Sequence, residues 1–123
     1  MLYVLGVAAM LLLPLNQVAA EEWTCSYRWT GKTESHPMLI EIGAESAITR
    51  GGFLNSTFRI LDDSKDELII IETNTKQRAG KDYPVGATLI VLDKSTGKMV
   101  RSNTHTDESF NSHAVGSCSI VLR

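Results

Sequence analysis

Cysteine occurs at two positions only, Cys25 and Cys118. A disulfide needs its Cα atoms within about 7 Å, so a bond between them would bring the two ends of the chain together. Whether they bond depends on the compartment. Leu2–Leu15 is almost wholly apolar, Asn16-Gln17 follows, and Val18-Ala19-Ala20 then supplies small residues. That order is the hydrophobic region and cleavage site of a signal peptide, although the Lys or Arg usual at its start is absent. The apolar run also falls short of the ~20 residues that span a bilayer. The sequence therefore predicts cleavage after Ala20, export to the periplasm or beyond, and one disulfide, Cys25–Cys118. Closing so long a loop should stabilise the fold by about 4–5 kcal/mol on the chain-entropy model. A redox or metal role would want C-x-x-C spacing or neighbouring histidines, and the sequence has neither.

The remainder, 21–123, has the length of one domain and is written in period two. Trp23, Cys25, Tyr27 and Trp29 alternate with Thr24, Ser26, Arg28 and Thr30, as in a strand with one buried face. After the polar stretch Gly31–His36 comes Met38–Ile42. Glu41–Thr49 fits a helical turn, with Gly43 counting against it. Two hairpins follow. One turns over Asp62-Asp63-Ser64-Lys65-Asp66 into Glu67–Thr73. The other runs Ala87–Leu92, turns over Asp93–Gly97 and returns through Lys98–Thr104. Gly97 falls where such a loop needs a left-handed backbone. A last strand spans about Gly116–Leu122. These elements predict a single all-β domain: an antiparallel barrel or strongly curled sheet of about seven strands, its ends tied by the disulfide. Tyr27, Ile60, Ile70 and Leu89 are expected inside.

Few residues stand out as chemistry. The net charge of −2 gives no electrostatic footprint for nucleic acid or for an anionic membrane surface. Trp23, Tyr27 and Trp29 could line an apolar pocket, but in so small a domain they read as core. His105 and Asp107 form an H-x-D pair that one strand would place on one face, and His113 could join them in a metal or acid–base site. All three histidines, His36 included, lie in polar stretches and read as solvated. Asp62–Glu67 begins like a calcium loop but lacks the glycine and the bidentate glutamate that such a loop requires. No G-x-S-x-G elbow is present. The polar stretch Asn74–Pro84 carries Lys76, Arg78 and Lys81 and reads as an exposed loop that could contact a partner. Nothing in the pattern calls for a cofactor.

The W-x-C opening, the I-V-L-D-K-S-T-G-K hairpin and the closing G-S-C resemble small exported alphaproteobacterial proteins of unknown function. In those, an early Cys, a D-K-x-T-G turn and a terminal G-x-C recur. That likeness implies an exported bacterial protein and carries no activity. The layout is also similar to that of the periplasmic inhibitors of c-type lysozyme, but their Ser-Gly-Ser…Tyr loop is missing here. The expectation is thus a non-enzymatic exported binding module for a protein or small ligand. The alternatives are a hydrolase or metal enzyme built on His105, Asp107 and His113, or an inhibitor of an enzyme such as lysozyme.

Overall fold

The computed structural model describes residues 21–51, 55–74 and 84–122. The predicted signal sequence, and Lys76, Arg78 and Lys81, lie outside these residues. Eight strands follow in chain order: β1 Glu21–Trp29, β2 Ser35–Ile42, β3 Ser46–Arg50, β4 Ser56–Asp63, β5 Glu67–Asn74, β6 Gly86–Asp93, β7 Lys98–His105 and β8 Ser112–Ile120. Each pairs antiparallel with its neighbours in sequence, and β8 returns to β1, closing a barrel without free edges.

The closing seam is the one the cysteines imply. Cys25 stands directly opposite Cys118 in the β1–β8 ladder, and the two are bonded with Cα atoms 4.0 Å apart. The strand count is eight rather than about seven. The added strand is β3, which lies inside the segment that also fits a helical turn. Five residues are too few for local propensity to decide between the two. Pairing decides instead: Ala47 and Thr49 turn inward while the backbone bonds to β2 on one side and β4 on the other.

Alternation sends one face of every strand into the barrel. Trp23, Ile40, Ile42, Phe58, Leu68, Ile70, Ile90, Leu92 and Met99 fill its middle around the disulfide, as expected for a barrel this narrow. Ile70 is fully buried, while Tyr27 and Ile60 pack against the core from its edge. Leu89 is not a core residue. It pairs with Ile71 and Ser102 on the outward face and is half-buried there.

One end of the barrel is stoppered. A register shift in β4 between Ile60 and Asp62 makes a bulge. Ile60 faces Ile70, yet Asp63 faces the equally buried Leu68, so both point inward and the extra residue, Leu61, stays outside. The sequence places Asp63 in a solvated turn; it is the last residue of β4 and remains exposed. It meets Lys94, which follows β6 and folds across the opening. The Lys94 ammonium donates to Asp63 Oδ1 at 2.7 Å, Glu21 Oε1 at 2.8 Å and the Ser64 carbonyl at 2.8 Å. Its side chain is 7% exposed. Burial works against the charge, but the hydrogen bonds to Asp63 and Glu21 outweigh it and hold the ammonium above its ordinary range.

The β6–β7 turn that presents Lys94 is fixed by Asp93 and Gly97. Asp93 accepts from the hydroxyl of Ser95 at 2.6 Å and from its backbone N–H at 2.9 Å, which lowers the carboxyl's affinity for a proton. Gly97 has φ of 82°, and its carbonyl accepts from the Cys118 N–H at 2.7 Å. A Cβ there would stand 2.5 Å from the Cys118 carbonyl oxygen. Gly97→Ala should therefore cost about 2–3 kcal/mol, from left-handed strain together with that clash. Urea unfolding would show the loss, and an unchanged midpoint would contradict it.

Candidate functional site: the polar mouth of the barrel

The opposite end has a different interior. On β7 the inward series continues past Met99 to Arg101, Asn103 and His105. Arg101 stands opposite two buried residues, Ile90 on β6 and Ala114 on β8, so its side chain enters the barrel. The guanidinium lies over Tyr27 at 5.5 Å from the ring centroid and over Trp29 at 5.7 Å, within the range of a cation–π contact. Its Nη1 approaches the Met38 sulfur at 3.7 Å. Its Nε is buried and bonded to no protein atom. Among the described residues Arg101 has no carboxylate partner, whereas Arg50 is paired with Glu41 and Lys94 with Glu21 and Asp63.

Polar groups surround this cation. Buried Thr88 donates to Asn103 Oδ1 at 2.7 Å, and Asn103 Nδ2 donates to Ser112 Oγ at 2.7 Å. Thr49, 5% exposed, pairs with Ser56 on the adjacent strand. Because β3 is short, Ser35–Met38 of β2 have no strand partner on that side. A cavity of about 250 Å³ lies there, lined by Tyr27, Pro37, Met38, Thr49, Arg50, Gly51, Ser56 and Arg101. A larger open groove of about 590 Å³ lies along β3, β4 and β5, where Thr57, Arg59, Ile71 and Thr73 stand beside the carboxylates of Glu45 and Glu72.

The aromatic stripe is thus divided. Trp23 is core, Tyr27 bridges core and mouth, and Trp29 meets Tyr27 edge-on at 5.7 Å with both rings beside Arg101. His36 tilts against Tyr27 at 5.5 Å between centroids.

The histidine hypothesis fares differently at each residue. His105 is 8% exposed, not solvated. It lies over Gly86, where a Cβ would come within 2.3 Å of the imidazole, and its backbone N–H donates to Asn111 Oδ1 at 2.6 Å. Asp107 lies beyond the strand end, so the same-face argument does not reach it. It caps a 3-10 turn, Glu108–Phe110, and the hydroxyl and backbone N–H of Ser109 hold its carboxyl below the ordinary range. His113 pairs with Ser102 on the outward face, opposite in direction to His105, and is exposed. The three do not converge, and among the described residues no group of three His, Cys, Asp or Glu could hold a metal ion.

Sequence reasoning missed Arg101. The signal was available: Arg101 is two residues from Met99 and two from Asn103 on a strand with a buried face. An arginine there reads by default as an outward residue of a hairpin arm.

No family model, curated protein or solved structure matches the chain. What fold and site define together is a class: a small, disulfide-closed meander barrel with one end sealed by an ion-paired lysine and a cationic polar cavity at the other. Among the described residues no helix is long and apolar enough to cross a membrane.

Proposed function

We propose that the protein is an exported, non-enzymatic binding module that takes a small ligand at the Arg101 end of the barrel. The observation that carries this reading is a guanidinium placed inside the barrel beside a cavity, without a carboxylate to balance it. Putting a charge in a protein interior costs stability unless it is paired, so such a group calls for an explanation beyond folding. Small barrels commonly admit ligands at their mouths. Catalysis by His105, Asp107 and His113 has less support, since His105 and His113 point to opposite faces of the wall. The sequence between β5 and β6 carries Lys76, Arg78 and Lys81, cations of the kind that contact a larger partner. Disulfide formation supports export.

Two measurements test the proposal. The protein recovered from the periplasm or medium should begin at Glu21 by mass analysis; retention of 1–20 in a membrane fraction would refute the export arm. In titration with the low-molecular-mass fraction of a cell extract, amide shifts should concentrate at Tyr27, Met38, Thr49, Thr88 and Arg101. Shifts confined to the outer wall, or none with any fraction, would refute the mouth as a binding site.

A further inference from the structure

We propose that the ligand of this mouth is a small organic monocarboxylate, with its head on the Arg101 guanidinium and its body against Tyr27, Pro37 and Met38. This rests on the reading of the barrel as a binding module and adds the chemistry of what it binds.

Three observations lead there. The first is how Arg101 is held. The guanidinium carbon lies over the Tyr27 and Trp29 rings, at 5.5 and 5.7 Å from their centroids. Of its five N–H donors, Nε has no protein partner and Nη1 meets only a thioether sulfur, a weak acceptor. A planar carboxylate matches an arginine fork through two parallel hydrogen bonds, as a phosphate can, and charge and size separate the two. The contacts to Tyr27, Trp29 and Met38 hold the guanidinium beforehand, which reduces the ordering cost of binding.

Charge is the second. Arg101 is the single inward-facing cation at this end among the described residues, and the other cation on the cavity wall, Arg50, is paired with Glu41. One partly buried positive charge without a carboxylate partner suits one negative charge. A dianion such as phosphate would be left with excess charge.

Size is the third. The cavity of about 250 Å³ lies just below the range of roughly 300–1,000 Å³ usual for drug-sized ligands. It suits a single ring or short chain. The Thr49 and Ser56 hydroxyls on its wall can donate to a carboxylate oxygen that Arg101 leaves open.

The test uses the mature, oxidised protein with benzoate, benzamide and inorganic phosphate as probes, followed by amide chemical shifts and calorimetry. Benzoate should perturb residues around Arg101 and bind at least about tenfold more tightly than benzamide, as expected when a charge-assisted pair replaces a neutral contact. Its affinity should fall as salt rises, and phosphate should bind more weakly. Arg101→Gln should abolish the preference for benzoate over benzamide, and Arg101→Lys should weaken benzoate while retaining some preference. The wild-type comparison stands even if a variant fails to fold. Equal binding of benzoate and benzamide, or tighter binding of phosphate, would overturn the carboxylate assignment. So would failure of benzoate while an extract ligand still shifts the mouth residues, and in that case the binding-module reading survives. Absence of any ligand at the mouth removes both.

Discussion

Replacing Cys25 and Cys118 by alanine together should destabilise the barrel by about 4 kcal/mol, the largest loss expected from any change that leaves the charges untouched. The bond joins residues 93 positions apart. In the unfolded chain that cross-link removes much conformational freedom, by about 4–5 kcal/mol on the loop-closure model, and native disulfides typically deliver about 2–5 kcal/mol. A second contribution comes from the folded state. Both sulfurs lie in the core, next to Trp23 and Met38, and their removal leaves space the barrel cannot wholly close. The double variant avoids stranding a reactive thiol, which a single serine would do. The comparison is urea unfolding of the oxidised protein against the double variant. In the variant the β1–β8 seam is held only by its ladder and core contacts, so amide exchange should rise first along β1 and β8. A loss below about 1 kcal/mol would mean that the unfolded chain is already compact enough to make the clasp redundant.

Where the sequence speaks through alternation, it speaks clearly. Trp23–Trp29, Leu68–Ile70 and Ala87–Leu92 disclose strands because each places large apolar groups on one face. The cysteine pair then forces closure. β3 is obscured because its inward residues, Ala47 and Thr49, are small or polar and carry little hydrophobic signal, so its identity depends on neighbours distant in the chain. Leu89 misleads for the converse reason: a large apolar residue can sit on the outer wall, half-buried by its flanking strands. Asp63 and Arg101 are harder still. The bulge at Leu61 shifts the register of β4, which sets the exposed Asp63 opposite inward-facing Leu68 at the barrel end. Arg101 obeys its parity, but reading it as inward means accepting a partly buried cation whose aromatic partners lie on β1, far away in sequence. The resemblance to exported proteins rests on the turn and the cysteines, which are structural features, and so could not point to the mouth.

Lys94→Met should cost about 2–4 kcal/mol, or a fall in Tm of roughly 10–20 °C for a domain of this size. Methionine retains most of the apolar stem, so the loss isolates the charge. Without the ammonium, Glu21 and Asp63 face each other at the barrel end with no cation between them, and the Ser64 carbonyl loses its donor. Removing one partner of a fully buried pair typically costs about 3–5 kcal/mol. The lower range applies because the Glu21 and Asp63 side chains keep 30% and 34% of their exposure and remain partly hydrated. The dependence on pH has a definite sign. Lys94 has its proton affinity raised in the folded state, so its contribution is complete below the ordinary lysine pKa of 10.5 and disappears as pH rises through the higher folded value. The gap between wild type and variant should therefore stay level around neutrality and narrow in strong alkali. Adding Glu21→Gln and Asp63→Asn to Lys94→Met should recover part of the loss, because it removes the unpaired charges that cause it. If the triple variant is no more stable than Lys94→Met, the unpaired carboxylates are not the cause of the loss, and the charge account of this seal fails.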